Sequence, residues 1–209
     1  MNEPHMPVLD VDSLLADLRR IVCCLEPRPQ FREMLSRVLK ILSEDMLFER
    51  PHIVVQNPEN GRLHLSMSLD RPVEHITYAP GTGVTGQVFS SGKPIIVEKM
   101  SEHPDFMNRL FARPKSVLDS LAFICVPIFF DRHANEENTC HPRKVVGVLS
   151  ADTRHEDHAV LRMRCSILKI VAALVGHQAA CLQEDFLRSS THSTEQDRKS
   201  TRLNSSHDQ

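Results

Sequence analysis

Apolar positions near the start of the chain recur at helical spacing. Leu14, Leu15, Leu18, Ile21, Val22 and Leu25 follow Asp10 and Asp12, either of which can cap a helix. Pro27 and Pro29 end that helix. A second stripe, Phe31, Met34, Leu35, Val38, Leu39, Ile41, Leu42 and Met46, predicts a helix from about Gln30 to Phe48. The period then shortens. His52–Gln56 reads as a short strand and Asn57–Gly61 as a turn, and Leu63, Leu65, Met67 and Leu69 alternate with polar residues as a strand does. Val84–Ser91 predicts a short helix stopped by Gly92 and Pro94, and Ile95–Glu98 a short strand. Pro104–Arg113 predicts a helix of one or two turns. The unbroken apolar run Leu121–Phe130 predicts a buried strand, Asp131–Pro142 is polar, and Lys144–Ala151 is another strand. Leu161–Leu187 carries a long helical stripe that includes Ile167, Leu168, Val171, Leu174 and Val175.

That order is α+β: a mostly antiparallel sheet with helices packed on it and long helices at both ends. With 209 residues the chain suits one domain with extra helices, and 41% hydrophobic residues suffice for a core. Lys and Arg number 25 against 27 Asp and Glu, a formal charge of −2, which argues against a basic nucleic-acid surface over the whole chain. No apolar run reaches the ~18 residues of a membrane span, and Met1–Asp10 lacks a signal-peptide pattern, so a cytoplasmic location is expected. Six cysteines fall short of disulfide density. Twelve histidines raise the question of a metal. Yet His133, Cys140 and His141 share a polar loop without metal-ligand spacing, and His155-Glu-Asp-His158 is not a zinc-protease helix motif, so no specific metal site is expected.

The end of the chain reads differently. Asp197 to His207 matches, codon for codon, the translation of a common sequencing-adapter oligonucleotide, so 197–209 is set apart from fold reasoning and the natural chain is expected to continue past about residue 196. The expected organisation is a disordered 1–9, a domain over 10–188 including its terminal helices, and a disordered 189–209.

Gly81-Thr-Gly83-Val-Thr-Gly86 satisfies the G-x-G-x-x-G pattern. A dinucleotide site also needs a buried parallel strand before it and a crossover helix after it, and Pro80 and Gly92 leave room for neither. The glycines are better read as a tight turn, with Gly86 letting the short helix lie close to the sheet.

Tyr78-Ala-Pro-Gly-Thr-Gly-Val-Thr-Gly-Gln-Val and Ser91-Gly-Lys-Pro-Ile-Ile-Val resemble the middle of GAF domains. Ser101–Arg109 with its Asp-Phe-Met-Asn-Arg, Ala112-Arg-Pro, Phe123-Ile-Cys-Val-Pro-Ile128 and Val145–Asp152 narrow the resemblance to the nitrogen-fixation regulator (NifA-type) subclass of sigma-54-dependent activators. It spans about Asp10 to Leu187. It implies a six-stranded antiparallel sheet, a sensory role, and terminal helices that form a homodimer bundle, with Val171 and Leu174 in the interface. It also implies a regulatory protein partner. DNA and polymerase contacts would belong to downstream domains, and this chain carries no G-x-x-x-x-G-K-[ST] phosphate loop, so it is expected not to be an enzyme.

The resemblance further implies a pocket walled by Tyr78–Phe89, Glu98–Arg113 and Phe123–Ile128, and a ligand of the 2-oxoglutarate type. Arg109 and Arg113, with Lys93 nearby, could grip its carboxylates; alternatively Arg109 pairs with Asp105 across one helical turn. Thr85 and the amides around Gly86 could donate to an anion, and Cys125 completes the candidate ligand set. Vicinal Cys23 and Cys24 point ~100° apart on a helix, one inward and one outward, and are the candidates for a redox sensor. The competing readings are a docking and dimerisation module with no ligand, that cysteine-based sensor, and a methionine-sulfoxide reductase, which the cysteine pattern does not support.

Overall fold

Alternation along the chain becomes alternation in space at Leu63–Ser68, where Leu63, Leu65 and Met67 are buried and the residues between them are half-exposed. The computed structural model describes residues 10–25, 31–70, 76–130 and 144–180. Within them lie α1 (Val11–Cys24), α2 (Phe31–Glu44), β1 (Glu49–Gln56), β2 (Leu63–Ser68), β3 (Thr77–Tyr78), α3 (Gly83–Ser91), β4 (Ile95–Val97), α4 (Lys115–Leu118), β5 (Leu121–Phe130) and β6 (Lys144–Arg154). A last helix, α5, covers 158–180 and reaches the edge of the described residues. The proposed tails 1–9 and 189–209 and the end of the predicted last helix, 181–187, lie outside them.

The strands form one six-stranded sheet in the order β3-β2-β1-β6-β5-β4, with every neighbouring pair antiparallel. This is the α+β architecture expected from the residues and the resemblance. Helices α1, α2 and α5 cover one face, where Met34, Leu39 and Leu42 of α2 and Leu168 and Val171 of α5 meet Ile53, Ile124, Val126 and Leu149. The other face lies under α3 and the segment 98–114, which pack Val84, Val88, Met100 and Phe106 on Phe123, Cys125 and Val148. Eight consecutive residues of β5 are buried because each face has its own cover, and so its sequence shows no alternation.

Four local differences from the sequence pattern have physical causes. β1 begins at Glu49 rather than His52, with Pro51 inside it; Pro51 has no N–H to give and sits where the β1–β6 register shifts between Glu49 and His52. α2 ends at Glu44: Leu47 takes a left-handed φ of 57° and turns Phe48 into the core, its N–H donating to the Leu42 carbonyl at 2.9 Å. β3, two residues long, is too short to show a period. Pro104–Arg113 is a series of turns, not a helix. The Asn108 carboxamide binds both the N–H and the carbonyl of Arg113, at 2.9 and 2.7 Å, and so competes with helical bonding.

The α5 stripe faces inward. Val171 is fully buried and Leu174 half-buried against this chain's own core. Arg164, also on α5, is buried; it donates to Glu156 at 3.1 Å and to the Met46 carbonyl at 3.3 Å, over the Phe48 ring. On α1 three large apolar side chains are left outside among the polar ones: Val11, Leu15 and Val22 are 65%, 58% and 43% exposed. Among the described residues no helix is long and apolar enough to cross a membrane.

At Gly176 the α5 backbone lies against β5, and a Cβ there would overlap the Phe129 carbonyl oxygen. Gly176→Ala therefore destabilises the chain by about 1–3 kcal/mol through overpacking, although alanine gains up to ~1 kcal/mol in helix propensity. Urea-unfolding midpoints of the two proteins check it.

Candidate functional site

Cross-strand register builds the site. Ser150 of β6 stands opposite His52 of β1 and Cys125 of β5, and Asp152 stands opposite Phe123. These residues share the face beneath α3 and the 98–114 cover. Two glycines shape α3: Gly83, at φ 64°, has Met107 Sδ 2.6 Å from where a Cβ would be. At Gly86 a Cβ would lie 2.5 Å from the Ala79 carbonyl oxygen. So Gly86 admits the 79–81 turn, whose Gly81 N–H donates to the Gly86 carbonyl at 2.9 Å, rather than the sheet. α3 is nine residues long and no parallel strand precedes it, in keeping with rejection of the dinucleotide motif.

Asp152 is completely buried and accepts three charged donors. Arg113 presents its fork, Nε and Nη2 each 2.6 Å from one carboxylate oxygen, and Arg50 Nη1 lies 2.9 Å away. The Arg113 guanidinium stacks over Phe111 at 4.7 Å and Phe106 at 5.7 Å. Arg50 sits at the β1 bulge with a left-handed φ of 47°, beside a half-exposed Glu49 at 3.3 Å. Burial pushes the Asp152 carboxyl above the ordinary carboxylate range, while its two arginines pull it back. The guanidinium of Arg113 stays protonated.

Next to this cluster is a cavity of about 20 Å³, room for about one water, lined by His52, Tyr78, Thr82, Thr85, Phe111 and Arg113 among others. His52 lies 5.5 Å from Phe111 edge-on and 6.2 Å from Phe123 in a stack, its Nδ1 3.0 Å from the Arg50 carbonyl. Burial lowers its pKa to about 4, so it is neutral at pH 7. Burial likewise raises the Tyr78 hydroxyl, opposed through space by Arg109 and Arg113.

The sequence-derived candidates divide. Arg113 and Thr85 line the cavity. Arg113 is already engaged by Asp152, and the Thr85 hydroxyl bonds to Cys125. The Gly86 N–H is taken by the Thr82 carbonyl and the Val84 N–H by that of Asp105. Arg109 is exposed beside the lining residues Met107 and Leu110, and its proposed partner Asp105 instead accepts from Gln87 at 2.9 Å. Cys125 is buried behind the cavity, its sulfur accepting from the Ser150 hydroxyl at 3.2 Å, and burial pushes the thiol up to about 12. Lys93 is exposed and does not line this cavity. Cys23 is exposed and Cys24 half-buried, as expected of neighbours on a helix. His133, Cys140 and His141 lie outside the described residues. His155 and His158 both reach Glu98, through its carbonyl and carboxylate, each at 2.6 Å. Among the described residues no group of three metal-ligating side chains comes together.

Sequence reasoning missed Asp152, Arg50, His52 and Asn108. The available signal was a carboxylate inside an apolar strand, two and four residues from Ser150 and Val148 on one face.

The family model for the GAF domain matches residues 30–178. The Nif-specific regulatory protein of Azotobacter vinelandii is 31% identical over 178 residues, which cover 81% of this chain and 31% of that protein. The nitrogen fixation protein AnfA of the same organism is 25% identical over 78% of this chain and 29% of its own length. The chain thus spans about a third of the curated relatives it matches. Among solved structures, the nlh2 GAF domain of A. aeolicus in an inactive state superposes with a TM-score of 0.65 at 22% identity, over 78% of this chain and 93% of that one. Free methionine-R-sulfoxide reductase from Neisseria meningitidis superposes at 0.58 with 19% identity, over 86% and 99%. At those identities the structures speak for the fold alone.

A depressed histidine pKa sets the direction of a pH effect. The folded state binds fewer protons at His52 than the unfolded state, so this contribution is complete above pH 6.5 and is lost as pH falls from 6.5 towards 4. The loss amounts to roughly 3 kcal/mol across that window. His52→Asn, with a lower baseline at pH 7, loses less between pH 7 and pH 5 than the wild type does. Urea midpoints of both proteins at the two pH values measure the difference.

Proposed function

The chain belongs to the GAF family, a class of sensory and regulatory modules, and on that premise we propose that it receives the signal for a nitrogen-fixation-type activator of sigma-54-dependent transcription. In this reading the polymerase-remodelling ATPase and DNA-binding functions belong to other parts of a longer protein. The observation that carries it is the cavity under the 98–114 cover, where ring faces and aliphatic walls surround a buried arginine fork, a phenol and two threonine hydroxyls. Its chemistry suits a small acid with two anionic ends, of the 2-oxoglutarate type, with Arg113 on one end and exposed Arg109 near the mouth, and its present volume of about 20 Å³ requires the cavity to widen to admit one.

The role is regulatory rather than catalytic. The one cysteine on this face among the described residues, Cys125, is a buried, protonated thiol, and a thiol is not a nucleophile. The small size of the cavity favours a second reading, a docking module without ligand. Both readings accommodate a homodimer. Val11, Leu15 and Val22 are exposed on α1, and with half-buried Leu18 at their edge they repeat at intervals of four, three and four, the spacing of a coiled-coil seam.

Calorimetric titration with 2-oxoglutarate separates the readings. Heat is expected from the wild type, with binding weakened by at least about tenfold in Arg113→Ala and less in Arg109→Ala. Silence in the wild type favours docking. In sedimentation analysis, Leu15→Glu combined with Val22→Glu gives a folded monomer; a surviving dimer removes α1 from the interface.

A further inference from the structure

Two guanidinium groups share one carboxylate under the cover. Asp152 takes Nε and Nη2 of Arg113 and Nη1 of Arg50. Glu49 also lies near Arg50, but its side chain is 43% exposed and water screens it. His52 is neutral, and among the described residues no acidic side chain lines the cavity, Asp152 lying behind Arg113. Inside the fold, Asp152 is thus the one anion that the Arg113 guanidinium holds, and Arg50 has a second anion in Glu49 at the surface.

The occupied fork is the arrangement an incoming acid would use. Parallel N–H donors spaced to match two carboxylate oxygens recognise carboxylate and phosphate alike, and Asp152 fills them from the sheet side. The two halves of the pair ride on different parts of the fold: Arg113 on the 98–114 cover and Asp152 on β6. The cover is joined to its surroundings by isolated backbone bonds, Met100 N–H to Leu121 at 3.0 Å and Val84 N–H to Asp105 at 3.2 Å, not by a strand ladder. Arg50, the third member, is held at 2.9 Å with its backbone in the left-handed region, a conformation that persists only when its surroundings enforce it.

We propose that Asp152 is an internal stand-in for the acidic group of a small anionic ligand, a carboxylate or a phosphate, which displaces it from the Arg113 fork and leaves it to Arg50 alone. In the exchange each guanidinium gains its own anion. The cavity enlarges because one of the bonds between the cover and the sheet is the one exchanged, and the released carboxylate lies on the strand that leads into α5. The inference rests on reading this face as ligand-receiving.

The test titrates the full chain with glutarate and, separately, with inorganic phosphate, at constant ionic strength. Three proteins are compared: wild type, Asp152→Asn and Arg113→Lys. Asp152→Asn keeps the shape and loses the competing charge, so the anion binds at least about tenfold more tightly than in the wild type. Arg113→Lys keeps the charge and loses the fork, so binding weakens at least about tenfold. Glutarate or phosphate acting alone identifies the acid, and either result supports the exchange. Equal or weaker binding of both anions to Asp152→Asn overturns it. If neither anion binds any of the three proteins the exchange is also wrong, while a neutral metabolite that still raises the wild-type melting temperature would preserve the ligand-receiving reading. Should Asp152→Asn fail to fold, the wild type decides: the Asp152 carboxyl carbon resonance moves on anion saturation, and an unmoved resonance at saturation overturns the inference.

Discussion

A carboxylate sealed from water must find its counter-charge inside the fold, and Asp152 finds it on two elements that are distant in sequence. Arg113 comes from the turns after β4 and Arg50 from the bulge that opens β1. Leaving a buried charge without its partner typically costs 3–5 kcal/mol, so the three groups fix one another's positions. The phenylalanines then follow from the arginine: Phe106 and Phe111 flank the guanidinium, and Phe123 and His52 pack on those rings. The cover, the cavity wall and the β1 bulge are in this sense consequences of one carboxylate.

The two faces of the sheet have opposite chemistry. The face under α1, α2 and α5 is apolar and almost without charge, and a groove of about 410 Å³ opens on it between α2, the sheet and α5. The face under α3 and the cover carries the buried ionic cluster, the neutral imidazole, the phenol and the serine–thiol bond. β6 contributes to both, Leu149 and Ala151 inward to the helices and Ser150 and Asp152 to the polar side. Any rearrangement of the polar face is felt by a strand whose other side is clamped to helices.

Most of this architecture was legible in the residues. The stripes of α2 and α5, the alternation of β2 and the unbroken run of β5 each have a period that burial enforces, and the structure returns each of them. The place of the cavity came from the resemblance that the Tyr78–Val88 stretch carries. What stayed hidden was set by long-range partners. β3 is two residues long and exists because β2 offers it an edge. Pro104–Arg113 has helical-looking spacing but is bent by the Asn108 carboxamide. Arg109 and Arg113 look equivalent in sequence, yet one is exposed and the other buried, and the difference lies in Asp152, 39 residues away. Cys125 stands in a motif-bearing strand, yet its depth makes the thiol inert.

The buried Arg164 gives α5 a property that its apolar stripe does not. Grease tolerates rotation, because one methyl surface is as good as another. A guanidinium wedged between Glu156, the Met46 carbonyl and the Phe48 ring does not. To twist about its own axis α5 would have to strand a charge in a dry interior, so torque applied at its far end turns the α2–β1 joint with it. The helix behaves as a keyed shaft rather than a free spindle.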